Sequence, residues 1–173
     1  GHHQSGTDRC GEVAVAISDY EIIINLQGDE PFVPSLMIDE LVRFFKKNPN
    51  RKIATLVKEI NDPALLFSPH IVKVLIDIQG NALYFSRQPL PYQQGVLEKE
   101  WLDKHIYYKH IGMYIFDRNT LLDLVKLQPT GLENSEKLEQ LRWLENGYKI
   151  GVGITTYNSI GIDTPEDLLN IVE

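Results

Sequence analysis

The feature that most constrains the fold is a continuous apolar run near the start of the chain, Ile22-Ile23-Ile24-Asn25-Leu26. A strand with one solvated face alternates apolar and polar residues, whereas an unbroken run is typical of a strand buried on both faces of a sheet. The run stops at a polar, glycine-containing loop, and a helical pattern follows with Ser35 as its predicted N-cap. This order of strand, loop and helix predicts a layered α/β domain.

The rest of the chain repeats the alternation of strands and helices. A helix is predicted from about Arg9 to Ser18, and further helices over 119–127 and 135–146, the latter closed by Gly147 at the position after its C-cap. Strands are predicted over 53–57, 107–116 and 150–155, with a hairpin joining 72–78 to 82–86. Thr164 is a predicted cap for a last helix, and 87–104 is a predicted active-site or interface loop. We therefore expect one domain over 1–173 with a mixed sheet.

Charge and composition narrow the class of partner. The 173 residues carry 24 acids against 17 bases, a formal charge of -7, which argues against nucleic acid or an anionic membrane surface as partner. The single cysteine, Cys10, cannot form an internal disulfide, and a cytoplasmic protein is expected. No apolar run approaches the roughly 18 residues of a membrane span, and the first residues lack the features of a signal peptide. Any anionic ligand must therefore be held by local groups rather than by the overall charge.

A polar motif at the end of the first predicted strand, Asn25-Leu26-Gln27-Gly28-Asp29-Glu30-Pro31-Phe32, is the first candidate site. Open α/β sheets bind ligands at the carboxyl ends of their strands. Asp29 offers the hard oxygen ligands that Mg²⁺ prefers, and Gly28 lets a ligand approach the backbone. Gly-Asp and Glu-Pro are also common in simple turns. From the residues alone, a metal site and a turn are equally good interpretations.

This motif closely resembles the signature of the CMP-KDO synthetases, the cytidylyltransferases of 3-deoxy-manno-octulosonate (KDO). Six further blocks resemble that family in the same order, beginning with Ser5-Gly6-Thr7-Asp8-Arg9 and ending with Gly161-Ile162-Asp163-Thr164-Pro165-Glu166-Asp167. The four blocks between them cover 84–92, 108–114, 138–144 and 146–148. The resemblance implies a Rossmann-like nucleotidyltransferase fold, a layered α/β/α domain with a mixed sheet. The family's first strand and its triphosphate-binding loop have no counterpart here, so an N-terminally incomplete domain is expected, inactive by itself.

The implied reaction is attack by the anomeric hydroxyl of KDO on the α-phosphate of CTP, with pyrophosphate leaving. Its product, CMP-KDO, serves lipopolysaccharide synthesis, and the resemblance implies Mg²⁺ as cofactor and a homodimer. Two alternatives stay open at this point. One is a related nucleotidyltransferase, such as a CMP-sialic acid synthetase or a sugar-nucleotide pyrophosphorylase. The other is a fragment that only dimerises or binds ligand without catalysis.

The resemblance also implies roles for individual residues. Asp29 and Asp163 are the expected catalytic residues and hold Mg²⁺, although Asp163 also suits a cap for the last helix. Ser5, Gly6 and Arg9 are expected at the nucleotide, where a loop that only caps the following helix is the plain alternative.

Arg87 is the expected partner of the sugar carboxylate, because its planar guanidinium binds a carboxylate at two points. The other expected sugar contacts are Gln27, His110, Tyr114, Glu139 and Gln140. The plain alternatives are a structural pair for His110 and Tyr114, which share a strand face, and solvated positions on a helix for Glu139 and Gln140.

Overall fold

The computed structural model describes residues 5–27 and 33–157, which form a six-stranded sheet with helices packed on it. The helices are α1 (Gly6–Ala16), α2 (Ser35–Lys47), α3 (Pro63–Phe67), α4 (Trp101–Lys104), α5 (Arg118–Leu124), α6 (Gly131–Glu136) and α7 (Gln140–Glu145). The strands are β1 (Ile22–Leu26), β2 (Ile53–Glu59), β3 (Lys73–Ile76), β4 (Ala82–Ser86), β5 (Tyr108–Asp117) and β6 (Gly151–Ile154). No helix in these two ranges combines the length and apolar character that a membrane span requires.

The sheet is mixed, as predicted. Its order is β4-β3-β5-β2-β6, with β1 pairing to β5 as well. The pairs of β5 with β1, β2 and β3 are antiparallel, and so is the β3–β4 hairpin, whereas β2 and β6 run parallel. The predicted α/β class and the predicted hairpin are both confirmed.

The two faces of the sheet pack against different helices. Met113 and Ile115 of β5 join α2 through Met37, Leu41 and Phe45. Residues 114 and 116 of the same strand point the other way, into a cluster with α1, α5 and α7. Because successive strand residues alternate between faces, one strand supplies both cores and the layers run α/β/α.

A bulge interrupts the pairing between β2 and β5. Thr55 pairs with Tyr114, but the next residue, Leu56, pairs with Ile111, so β5 carries two extra residues there. The Thr55 hydroxyl donates to the carbonyl oxygen of Met113 at 2.7 Å, and the carbonyl of Gly112 accepts from the backbone N–H of Gln27 at 3.1 Å. The backbone groups of the bulge are thus hydrogen-bonded, and Gln27, which follows β1, lies beside the middle of β5.

Several predicted details are wrong. The first strand is correctly placed, but its ends are exposed, with Ile22 at 37% and Leu26 at 43%, because β1 has β5 as its single neighbour among the described residues. The first helix is capped by Ser5 and starts earlier than predicted. Ser35 is the first residue of α2, whose N-cap is Pro34. The predicted loop over 87–104 is irregular up to residue 97 and ends in a short 3₁₀ turn and α4.

The single helix predicted over 135–146 is two helices. Lys137 adopts a left-handed conformation (φ 57°) after α6, and α7 starts three residues later. Gly147 has φ 83° directly after the C-cap of α7, so the predicted end of the second helix is confirmed.

An ion pair between the two helices holds the break in place. The guanidinium of Arg142 donates to both carboxylate oxygens of Glu133, at 2.7 and 2.5 Å, and its third nitrogen reaches the carbonyl of Leu127 at 3.2 Å. The side chains are only 8% and 12% exposed. A bidentate pair removed from water is geometrically specific, so it fixes the angle at which α6 meets α7.

Glu133→Gln tests this role, because it leaves the buried Arg142 with a neutral partner. We expect the free energy of unfolding, measured by urea denaturation, to fall by about 3 kcal/mol. Asp123→Asn is the matched control: it breaks the Asp123–Lys126 pair, whose side chains are 58% and 71% exposed, and should cost under about 0.5 kcal/mol. Equal losses for the two variants would contradict the role of Glu133.

Candidate functional site

Three polar side chains lie side by side across the middle of the sheet. Asn25 of β1 and Thr55 of β2 both pair with Tyr114 of β5, one from each side. Directly paired strand residues point to the same face, so these three form one row, which we call the polar row. All three are buried, at 8%, 0% and 2% exposure. Polar groups this deep need partners, either protein or ligand.

His110 extends the polar row in a defined protonation state. Its Nε2 lies 2.9 Å from the Thr55 hydroxyl, whose single proton is given to Met113. Thr55 therefore accepts, and the imidazole carries its proton on Nε2 and leaves Nδ1 as an acceptor. Burial lowers the pKa of His110 to about 3, so the ring is neutral near pH 7.

Tyr114 is the central member of the polar row and has aromatic neighbours. Its ring lies 5.1 Å from that of His110 and 5.0 Å, edge to face, from that of Trp143. The predicted sharing of one strand face by His110 and Tyr114 is confirmed. Burial, and then the charge of Glu139, raises the pKa of Tyr114 well above its usual range. Its hydroxyl is buried without a hydrogen-bond partner among the described residues, which costs about 1–3 kcal/mol and favours a ligand atom there.

Glu139 links the first turn of α1 to the start of α7. It occupies the N-cap position of α7, and its carboxylate accepts hydrogen bonds from Ser5 Oγ and Thr7 Oγ1, both at 2.8 Å. Burial raises the pKa of Glu139, and the two hydroxyl donors oppose that rise. The solvated position considered for Glu139 is wrong, and so is that for Gln140, which is 5% exposed.

The segment expected at the nucleotide is an ordered helix start. The Ser5 hydroxyl accepts from the N–H of Asp8 at 3.1 Å, and the Asp8 carboxylate accepts from the N–H of Ser5 at 3.2 Å, a capping box. A Cβ on Gly6 would lie 3.7 Å from the side-chain nitrogen of Asn25 and 4.0 Å from Arg9. Gly6 therefore lies next to Asn25 of the polar row, with Ser5 and Arg9 beside Gly6, and the helix-capping alternative holds at the same time.

Arg87 stands apart from this group. Its Nε donates to the carbonyl of Glu136 at 2.9 Å and its Nη1 to that of Pro69 at 3.0 Å. The carbonyl of Arg87 accepts from Lys73, a lysine that is 1% exposed and that also donates to the carbonyls of Ser68 and Ile71. Burial lowers the pKa of Lys73 to about 8. In the described ranges Arg87 makes no hydrogen bond to the polar row, and its Nη2 has no acceptor.

The two predicted metal ligands cannot be compared with the structure. Asp29 and Asp163 lie outside the described residues, and within 5–27 and 33–157 no group of three or more His, Cys, Asp or Glu side chains is arranged to hold a metal ion. Gln27, directly before the first gap, is exposed at the end of β1.

Three contributors were missed by sequence reasoning: Thr7, Thr55 and Glu136. Thr7 carried a weak signal, since it sits beside Ser5 in the cap of a helix. Thr55 and Glu136 carried none, because their partners are 55 and 49 positions away in the chain.

Comparison with known proteins shows the family of this chain. Residues 1–150 match a family model described as cytidylyltransferase. The 3-deoxy-manno-octulosonate cytidylyltransferase of Cytophaga hutchinsonii is 47% identical over 171 residues, which cover 98% of this chain and 68% of that protein. The same enzyme of Parabacteroides distasonis is also 47% identical, over 96% of this chain and 68% of its own length. The chain thus spans about two thirds of these relatives.

Solved structures give the same result. A CMP:2-keto-3-deoxy-manno-octonic acid synthetase in complex with CTP superposes with a TM-score of 0.87 and 35% identity, covering 98% of this chain and 67% of its own. HddC from Yersinia pseudotuberculosis reaches a TM-score of 0.60 at 14% identity, covering 98% of this chain and 62% of its own, and so shares the fold alone. The chain therefore belongs to the cytidylyltransferase family, among the 3-deoxy-manno-octulosonate cytidylyltransferases.

Proposed function

We propose that this protein transfers CMP from CTP to KDO, giving CMP-KDO and pyrophosphate. The observation that carries the proposal is the pair of hydrogen bonds from Ser5 and Thr7 to Glu139, which bring the segment expected at the nucleotide against a residue expected at the sugar. The relatives named for this reaction and the related structure holding CTP support it. The oxygen of the anomeric hydroxyl forms the new bond to the α-phosphorus and its proton passes to water. The bond from the α-phosphorus to the bridging oxygen breaks, and pyrophosphate departs with the bonding pair.

The nucleotide lies, in this proposal, against the first turn of α1. Ser5 and Gly6 offer a hydroxyl and backbone groups to the cytosine edge, and the exposed Arg9 lies beside them with its permanent positive charge. The closeness of this turn to Asn25 supports a position of the base beside the end of β1, since open α/β sheets bind ligands at the carboxyl ends of their strands.

The sugar lies against the polar row in this proposal. A polyol needs both donors and acceptors, and the neutral Tyr114 hydroxyl offers a donor while His110 Nδ1 offers an acceptor. Gln27 and Gln140 add amide groups of both kinds. Arg87 takes the sugar carboxylate with Nη2, because its other two nitrogens are held by backbone carbonyls. Buried aromatic rings around His110 exclude water from this part of the site.

Asp29 and Asp163 are proposed to hold Mg²⁺. Their carboxylates are the hard oxygen ligands that this ion takes, and no Cys or His grouping in the sequence suits zinc instead. Mg²⁺ held by these two residues would neutralise charge that develops on the phosphates. We extend the proposal to a cytoplasmic homodimer that serves lipopolysaccharide synthesis. Exposed apolar side chains near α4, among them Tyr92 at 72% and Leu97 at 63%, support a subunit contact.

The function is tested on the full-length protein, by release of pyrophosphate from CTP with three acceptors in parallel, and the variants below are made in that protein. We expect KDO to support release, and sialic acid or a sugar phosphate to support less than about a hundredth of that rate, a difference of about 2.7 kcal/mol in the barrier. Preference for sialic acid or a sugar phosphate would favour one of the related nucleotidyltransferases. Binding of KDO, seen by calorimetry, without release from any acceptor would favour a fragment that only binds ligand.

Arg87→Lys is expected to raise KM for KDO by roughly 10- to 100-fold and KM for CTP by less than about twofold, because lysine keeps the charge but loses the planar guanidinium that two backbone carbonyls hold in position. Arg43→Lys, on the exposed face of α2, is the matched control and should change neither constant. Steady-state kinetics at saturating co-substrate checks both. An equal effect of Arg87→Lys on the two substrates would remove Arg87 from the sugar site.

Asp29→Asn and Asp163→Asn are each expected to lower kcat by at least about 100-fold and to raise the Mg²⁺ concentration needed for half-maximal rate, because each removes an anionic ligand. The control Asp39→Asn, exposed on α2, should leave the magnesium titration unchanged. Near-normal turnover of Asp163→Asn at limiting Mg²⁺ would show that Asp163 only caps the last helix.

A further inference from the structure

The Ser5 hydroxyl is surrounded on two sides by protein. It lies 2.8 Å from one oxygen of Glu139 and 3.1 Å from the backbone N–H of Asp8. The other oxygen of Glu139 lies 2.8 Å from the Thr7 hydroxyl, so one carboxylate binds two hydroxyl groups of the same helix turn. This arrangement fixes where each hydroxyl proton points.

An ionised carboxylate has no proton to give, so both hydroxyls must donate to Glu139. A serine hydroxyl has one proton and two lone pairs. In Ser5 the proton goes to Glu139 and one lone pair accepts from Asp8. What remains for a ligand is a single lone pair, and Ser5 is therefore an acceptor that cannot turn into a donor while Glu139 is in place.

Cytosine and uracil differ at ring position 4 in the property that such an acceptor reads. Cytosine carries an amino group there, which donates, and uracil carries a carbonyl oxygen, which only accepts. A free serine hydroxyl would serve either base by rotating its proton. An acceptor with a fixed proton pairs with the amino group of cytosine. With uracil, the lone pair of Ser5 faces a lone pair of the carbonyl oxygen, and no hydrogen bond forms.

We propose that Glu139 sets the preference for CTP over UTP by holding the Ser5 hydroxyl proton away from the base. The inference rests on the proposed function, namely that Ser5 faces the pyrimidine edge. Glu139 then acts through Ser5 and is a positioning residue for nucleotide choice. Each of its oxygens retains a second lone pair, so a contact from Glu139 to a sugar hydroxyl is compatible with this role.

Glu139→Met tests the inference, because it removes both acceptor oxygens and frees the Ser5 proton while keeping a side chain of similar length. We expect the ratio of kcat/KM for CTP to that for UTP, at one fixed KDO concentration, to fall by at least about tenfold. Thr7→Val is the matched control: it removes the second hydroxyl on Glu139, leaves Ser5 in place, and should change the ratio by less than about twofold.

A double variant tests whether Glu139 acts through Ser5. Ser5→Ala also removes the fixed acceptor, so Ser5→Ala with Glu139→Met should lower the ratio no further than either change alone. Calorimetric titration with CTP and with UTP gives the same comparison without turnover. Effects on the sugar or on stability act on both nucleotides and cancel in the ratio.

The outcomes separate the two proposals. If the unaltered protein neither binds nor uses CTP, the proposed function fails, and this inference fails with it. If the unaltered protein prefers CTP and Glu139→Met keeps the full preference, the inference alone is overturned. A ratio that falls equally in Thr7→Val and in Glu139→Met would also overturn it, because the effect would then come from loosening the helix turn.

Discussion

Backbone hydrogen bonding along β5 is the interaction on which the rest of this domain depends. β1, β2 and β3 all pair with it, and its side chains alternate between the two cores. The bulge opposite Thr55 is placed in the middle of this strand, where it brings β1 and β2 to either side of Tyr114. Strand pairing thus does more than close the sheet: it aligns the polar row with a precision that flexible loops would not give.

Buried charge is handled in the same way at three places, by surrounding it with fixed hydrogen-bond partners. Lys73 is enclosed by backbone carbonyls, Arg142 faces a bidentate carboxylate, and Glu139 receives two hydroxyl protons. A charge removed from water is tolerated only when hydrogen bonds replace its hydration, and the groups that make those bonds are held in one conformation. Two of the three sites adjoin residues proposed to bind substrate, so the same compensation that permits burial also orients functional groups.

The sequence predicts the local features well and the long-range ones poorly. The strands, the hairpin and the end of α7 follow from apolar periodicity and from turn residues. The break at Lys137 was missed, because it depends on the pair between Glu133 and Arg142, which periodicity does not report. Resemblance to the family supplied a set of site residues without their protein partners. It therefore assigned Glu139 to the sugar alone, while its contacts to Ser5 and Thr7 require two chain segments to meet.

The contact between Ser5 and Glu139 joins positions 134 residues apart. Contacts of such sequence separation form only after intervening segments have ordered, because closing a long loop costs entropy before the contact returns any energy. Leu141 and Trp143 anchor α7 in the core beside β5, so Glu139 reaches the first turn of α1 when that core has formed. The helix turn proposed to bind the nucleotide thus acquires its final hydrogen bonds late in folding, after the segments between positions 5 and 139 have ordered.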